Sequence, residues 1–152
     1  DPLIRSEMQN ILLDLQNELH KTIIFITHDL DEALKIGDRI AILRDGSMVQ
    51  DSDPQKIIMK PADDYVSDFI KDINRARVIQ AKSIMTPSKS KSSGATVKED
   101  MVLEDILQIM SDAPSKPVTI EDIKGNITGK IEMVNLIEGM KRPESQGTNI
   151  TG

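Results

Sequence analysis

The sequence predicts an α/β fold, in which part of a parallel sheet, with a hairpin and helices, is followed by a small α+β unit. Residues 22–27 (TIIFIT) are apolar on both alternating faces, which is typical of a parallel strand covered by helices on both sides. Asp45-Gly46 separates two short strand-like segments and indicates a tight hairpin. After residue 94 the pattern predicts a β-α-β-β-α order.

The first predicted helix begins at Asp1, which suits an N-cap, with Pro2 at the first helical position. Its apolar residues follow helical spacing: Ile4, Met8, Ile11, Leu12, Leu15 and Leu19. After the predicted strand, residues 29–36 form a short acidic helix, which we expect Gly37 to end as a C-cap.

The hairpin is predicted to pair residues 39–43 with residues 47–50, and helices are expected at residues 54–59 and 62–74. In the second unit the predicted strands cover residues 95–97, 117–120 and 125–131. Two helices are marked by apolar stripes of Leu103, Ile106, Leu107 and Met110, and of Met133, Leu136, Ile137 and Met140.

Composition divides the chain near residue 82. The net charge of −6 lies mainly before this point, whereas residues 82–142 have equal numbers of basic and acidic side chains. We therefore predict a first portion over residues 1–74, a locally basic linker over 75–98, a second unit over 95–141 and a disordered tail over 142–152.

Composition also excludes several classes of function. The acidic charge argues against a general nucleic-acid binder, and the absence of Cys excludes disulfides and thiolate sites. The longest apolar run has four residues, Ile23–Ile26, too short for a signal-peptide core or a membrane span. Because the first residue is Asp, we expect the sequence to be a piece of a longer chain.

Residues 22–33 (TIIFITHDLDEA) closely resemble the switch-histidine region of ABC-transporter ATPases. Residues 38–46 (DRIAILRDG) resemble the hairpin that follows it, and residues 1–5 (DPLIR) resemble the D-loop. Within this family, residues 61–66 (PADDYV), Ile84-Met85 and a second unit similar to a CBS domain resemble the ATPase subunits of glycine betaine/proline importers.

The resemblance implies that His28 contacts the γ-phosphate of ATP and that Asp1 lies at a dimer interface. A histidine placed where a parallel strand ends can align the attacking water, since ligands collect at that edge of a sheet. The sequence alone equally allows His28 to cap the next helix and Asp1 to act only as an N-cap. No metal ligands are predicted, because Asp29, Asp31 and Glu32 suit an acidic helix start.

Three parts of an ATP site are missing from the sequence: a phosphate loop, a signature segment and the carboxylate that precedes the D-loop. Residues 125–131 (GNITGKI) have three residues between their glycines where the phosphate loop needs four, and Ile131 replaces its Ser or Thr. ATP and Mg²⁺ are therefore expected as cofactors of the full-length protein, while this chain alone is expected neither to bind ATP tightly nor to hydrolyse it.

The CBS resemblance implies an adenine-nucleotide site at Gly129, Glu132 and Asn135. Glu132 puts a negative charge at a phosphate position, and Asn135 lacks the carboxylate that holds a ribose, so both departures argue against nucleotide binding. CBS units work in pairs, so a second copy of the chain is the expected partner.

Four lysines without an intervening acid are candidate contacts to an anionic lipid surface: Lys82, Lys89, Lys91 and Lys98. A solvated linker is the simpler interpretation of the same residues.

The resemblance further implies a permease partner and a peripheral location at the cytoplasmic face of the plasma membrane. The function implied is part of the ATP-hydrolysing subunit of a compatible-solute importer. The alternatives are a non-catalytic module that senses adenine nucleotide or ionic strength, or an ATPase subunit for another small solute.

Overall fold

A computed structural model describes residues 1–142 of the chain. The predicted tail thus lies, apart from Arg142, outside the described residues. The helices are α1 Pro2–Leu19, α2 Leu30–Ile36, α3 Pro54–Met59, α4 Asp64–Ile70, α5 Arg75–Val78, α6 Ala81–Ile84, α7 Leu103–Ser111 and α8 Met133–Met140. The strands are β1 Ile40–Arg44, β2 Ser47–Ser52, β3 Thr86–Pro87, β4 Thr96–Lys98, β5 Val118–Glu121 and β6 Ile127–Ile131.

The predicted strand over residues 22–27 is wrong. These residues are not in a strand, and Ile24 and Ile26 are 87% and 92% exposed. A strand needs a neighbour for its backbone N–H and C=O groups, and within residues 1–142 no strand pairs with this segment. The parallel-sheet strand of the predicted fold class is therefore missing from the described structure.

Helix α1 is confirmed, but none of its residues is buried. Most of its apolar stripe is exposed: Ile4, Met8, Ile11, Leu15 and Leu19. Together with residues 22–27, α1 lies outside the hydrophobic core of the described chain.

The predicted hairpin is confirmed as β1 and β2, which pair in antiparallel fashion. Asp45 and Gly46 both have positive φ, 50° and 76°. A two-residue hairpin turn that matches the twist of its strands requires this backbone conformation at both positions. A bulge between Ile42 and Leu43 shifts the register, and Ile40 and Ile42 are buried. We call residues 40–70 the hairpin region.

The β-α-β-β-α order of the second unit is also confirmed. Its four-stranded sheet has the order β3-β6-β5-β4, with β4 parallel to β5 and the other pairs antiparallel. Thr119, Ile120 and Ile131 are fully buried in this sheet. We call residues 81–142 the four-stranded unit.

Residues 75–98 are more ordered than their Lys- and Ser-rich composition predicts. They contain α5, α6 and β3, and Ile79 and Ala81 are fully buried. The core is one cluster of apolar side chains that extends from Leu30 to Leu136. Burial of these two residues joins the hairpin region to the four-stranded unit.

Candidate functional site

His28 is an exposed residue in the bend between residues 22–27 and α2. Its side chain makes no hydrogen bond or ion pair with any residue from 1 to 142. Helix α2 is capped by Asp29 instead, whose Oδ1 accepts from Glu32 N at 3.3 Å. The interpretation of His28 as the cap of α2 is thus wrong, and its imidazole is free to bind a ligand.

The backbone on both sides of His28 is held by Thr27 and Glu32. The Thr27 hydroxyl donates to Glu32 Oε2 at 2.7 Å and accepts from the backbone N–H of Asp29 at 3.0 Å. This closed set of hydrogen bonds fixes the loop while leaving the imidazole outside it.

Helix α1 is joined to the same loop through polar side chains. Arg5 Nε lies 3.1 Å from Glu32 Oε1, and Arg5 Nη1 lies 3.5 Å from Asp29 Oδ2. Gln9 donates to Glu32 Oε1 at 3.1 Å and accepts from Lys35 Nζ at 3.0 Å. The side chain of Glu32 is only 12% exposed, so it is the centre of this network.

Sequence reasoning missed this role of Glu32, which it assigned only to an acidic helix start. The available signal was the i, i+4 spacing of Arg5 and Gln9, which places both on one face of α1. Pairing that face with α2 requires a tertiary contact that spacing alone does not give.

Asp1 acts as the N-cap of α1, as predicted, because its Oδ1 accepts from Leu3 N at 2.9 Å. Its implied position at a dimer interface stays a prediction.

Gly129, Glu132 and Asn135 lie together where β6 meets α8. Asn135 Oδ1 accepts from the backbone N–H of Glu132 at 2.8 Å, and its Nδ2 donates to Thr86 Oγ1 at 3.3 Å. The Glu132 carboxylate lies 3.2 Å from Lys130 Nζ. Both polar atoms of the Asn135 amide therefore already have partners within the protein.

Gly129 is buried where β3 crosses close to β6. A Cβ at this position would lie 2.6 Å from Met85 Sδ and 2.9 Å from the Thr86 carbonyl oxygen. Only glycine therefore allows this approach of the two strands.

The four candidate lipid contacts are not equivalent. Lys98 Nζ lies 2.8 Å from Glu121 Oε1, so its charge is already paired. Lys82, Lys89 and Lys91 are exposed and form no ion pair within the described residues.

Residues 1–142 contain no group of three or more His, Asp and Glu side chains placed to hold a metal ion. Among the helices α1 to α8, none combines the length and the apolar character that a membrane span requires.

The sequence matches no protein-family profile. Over 85 residues, 56% of its length, it is 58% identical to the glycine betaine/carnitine transport ATP-binding protein of Listeria monocytogenes, of which it covers 21%. It is 51% identical over 84 residues to the glycine betaine/proline betaine transport system ATP-binding protein of Escherichia coli, covering 55% of this chain and 21% of that protein. The chain is related to the ATP-binding subunits of betaine-type transporters. This confirms the resemblance that its sequence predicted.

A third relative extends over nearly the whole chain. The trimethylamine N-oxide transport system ATP-binding protein of Pelagibacter ubique is 38% identical over 138 residues, which is 90% of this chain and 40% of that protein. A match of this length includes most of both the hairpin region and the four-stranded unit. The chain spans about a fifth to two fifths of the length of these relatives.

Proposed function

We propose that the chain supplies the switch-histidine portion of an ATP-hydrolysing subunit that powers uptake of a betaine-type compatible solute. The observation that carries the proposal is the exposed His28, held in a hydrogen-bonded loop and free of partners within the described residues. The names of the relatives support ATP use and betaine-type solutes.

His28 fits a role in ATP chemistry because an imidazole without a protein partner can donate to a phosphate oxygen. ATP with Mg²⁺ would supply the scissile phosphoanhydride bond and the compensating charge. His28 would orient the attacking water and stabilise charge, and Asp1 would connect two copies of the subunit. The remaining groups of an ATP site would come from outside residues 1–152.

The four-stranded unit is proposed to be a CBS-like regulatory domain. Its β-α-β-β-α order supports this, and so do the exposed apolar side chains on its two long helices, among them Leu107, Val134 and Ile137. A second copy of the chain would cover these side chains, since CBS units work in pairs. The subunit would act with a membrane permease at the cytoplasmic face of the plasma membrane.

A second candidate is a module that senses ionic strength without catalysis. Lys82, Lys89 and Lys91 favour it, because exposed lysines without acidic partners attract anionic lipid with about 1 kcal/mol each near the surface. Membrane contact through these lysines would also be compatible with ATP hydrolysis by the same subunit.

A graft tests the transport role. In the Listeria monocytogenes relative, the matched 85-residue segment is replaced by that of this chain, and betaine uptake into cells that lack their own transporter is measured. We expect uptake to be retained in the graft and to fall by about a hundredfold or more in the His28→Ala graft. Normal uptake in the His28→Ala graft, or no uptake in a graft that assembles with its permease, would refute the proposal.

A further inference from the structure

Arg75 lies at the first residue of α5, the short helix between the hairpin region and the four-stranded unit. Helix α5 contacts α3 on one side and α7 and α8 on the other. The Arg75 guanidinium reaches both sides. Its Nη1 donates to the carbonyl oxygen of Ile58 in α3 at 3.0 Å, and its Nε donates to that of Gly139 in α8 at 3.2 Å.

Arg75 forms no ion pair with a carboxylate anywhere in residues 1–142. Its acceptors are the Met59 sulfur, 3.6 Å from Nη2, and two carbonyl groups in the last turns of α3 and α8, where helices have unsatisfied carbonyl oxygens and a partial negative charge. Burial lowers the pKa of the Arg75 guanidinium, and the neighbouring charge of Arg142 lowers it further. The charge is thus partly buried, and the two helix ends compensate for the loss of solvation.

Apolar contacts at this junction come from Ile57, Ile58 and Ile79, which are fully buried there. Hydrophobic attraction itself is non-directional. Hydrogen bonds have geometric requirements, and a guanidinium presents its N–H groups in a rigid planar fork. A direction-dependent contact at the junction therefore comes from Arg75.

Gln55 adds a second polar contact across the same junction. Its Nε2 donates to the Val78 carbonyl oxygen at 2.8 Å, and its Oε1 accepts from the backbone N–H of Gln80 at 2.8 Å. The Gln80 amide therefore reports whether the segment that enters the four-stranded unit stays attached to α3.

We propose that Arg75 is a latch that sets the orientation of the four-stranded unit relative to the hairpin region. It acts by binding the carboxyl-terminal turns of α3 and α8 at the same time. When either contact is lost, the buried apolar residues and Gln55 keep the two parts together, but over a wider range of orientations. The inference does not depend on the transport role.

The test measures the distance between two spin labels. The chain has no cysteine, so Ser47→Cys at the start of β2 and Lys124→Cys in the β5–β6 turn give one label on each side of the junction. A second pair, Lys91→Cys and Lys124→Cys, lies within the four-stranded unit. We expect a narrow distance distribution for both pairs in the protein with Arg75.

Arg75→Ala and Arg75→Lys should each widen the distribution across the junction at least about twofold, because a single ammonium group cannot match the guanidinium fork. The pair within the four-stranded unit should stay narrow. Arg77→Ala is the matched control, since it also removes an arginine from α5. Arg77 forms an exposed ion pair with Glu104, which connects only α5 and α7. Arg77→Ala should leave both distributions unchanged.

Amide hydrogen exchange gives an independent measurement without labels. Arg75→Lys should accelerate exchange at Gln80 about tenfold or more, as expected for losing hydrogen bonds from a charged group. The Thr119 amide, which donates to the Ala95 carbonyl oxygen inside the sheet at 2.8 Å, should not change. The proposal is overturned if Arg75→Lys, like Arg77→Ala, leaves the distance distributions and the Gln80 exchange rate unchanged. It is also overturned if the distance distributions of both label pairs widen and exchange accelerates at both Gln80 and Thr119.

Discussion

Thr27 and Glu32 face each other across the His28 loop, with the Thr27 hydroxyl donating to Glu32 Oε2 at 2.7 Å. The same carboxylate binds Arg5 and Gln9 of α1, so one acidic side chain connects this helix, which Asp1 caps, with the loop that carries His28. Glu32 therefore links the two elements that carry Asp1 and His28, the residues to which the family resemblance gives roles in an ATP site.

Glu32→Ala should loosen the His28 loop. It removes the partner of Thr27 and Arg5, and a hydrogen bond to a charged group contributes about 1.5–3 kcal/mol. We expect exchange of the Asp29 amide, which donates to Thr27 Oγ1, to accelerate about tenfold or more.

Asp31→Ala is the matched control, because it removes a carboxylate from the same first turn of α2 and the same interaction with the helix dipole. Equal exchange rates at Asp29 in the two variants would show that Glu32 acts only through its charge.

Gly129→Ala should destabilise the four-stranded unit by about 1–3 kcal/mol, since the new methyl group would overlap Met85 Sδ and the Thr86 carbonyl oxygen. The urea midpoint of unfolding measures this. Adding Met85→Ala should recover only part of the loss, because the backbone carbonyl stays in place. Gly46→Ala, where nothing lies within 4 Å of the new Cβ but φ is +76°, separates overlap from backbone strain. A loss of stability well below about 1 kcal/mol in Gly129→Ala would contradict the close approach of β3 and β6.

The pKa of Asp122 should rise toward its usual value in Asn126→Ala. The side-chain hydrogen bond from Asn126 is the main cause that lowers this pKa, with backbone hydrogen bonds from Asn126 and Lys124 adding to it. A lowered pKa stabilises the folded chain at pH values above the unfolded pKa, and this contribution is lost as the pH falls through the folded value.

A carboxyl NMR titration measures the change in Asp122. Asp51 serves as the internal reference, because it lies in the other sheet and its pKa is lowered mainly by its hydrogen bond with Arg39. An unchanged pKa of Asp122 in Asn126→Ala, or an equal shift in the pKa of Asp51, would show that the Asn126 side chain does not lower the pKa of Asp122.

Adenine nucleotides should bind weakly or not at all at the start of α8. Calorimetry with the chain should show no heat of binding, since Glu132 repels phosphate and the Asn135 amide is occupied by Glu132 N and Thr86. The double variant Glu132→Thr with Asn135→Asp removes both obstacles and should gain measurable affinity. Tight binding by the unchanged chain would refute this interpretation of the site.

Binding to anionic vesicles should depend on Lys82, Lys89 and Lys91 but not on Lys98. Replacing the first three by Gln should abolish co-sedimentation at low salt, whereas Lys98→Gln should not, because Lys98 is already paired with Glu121. Raising ionic strength should weaken binding of the unchanged chain, since screening shortens the range of the attraction to about 8 Å at physiological salt. Salt-independent sedimentation would exclude this contact.

Local signals predicted much of the fold. Asp45-Gly46 placed the hairpin because its turn chemistry is local, and the stripe containing Leu103, Ile106 and Met110 placed α7 because its buried face follows helical spacing. The strand at residues 22–27 was wrong, since strand pairing depends on partners that a single segment does not contain.

The site was predicted less completely than the fold. His28 could be chosen from its motif, but the roles of Glu32 and Arg75 depend on contacts to α1, α3 and α8 that are distant in sequence. The predicted linker over residues 75–98 includes Ile79 and Ala81 because it is drawn from the change in composition near residue 82. Their burial depends on the tertiary packing of α5 and α6.

ATP hydrolysis tests the central claim most directly. The grafted Listeria monocytogenes subunit is purified, and its turnover is compared with that of His28→Ala and of His20→Asn. The latter replaces the other histidine of the chain with a residue that tolerates the left-handed backbone, φ 49°, at the end of α1. We predict that His28→Ala reduces turnover about a hundredfold or more while His20→Asn leaves it unchanged. Equal turnover in the two variants would contradict the assignment of His28 to ATP chemistry.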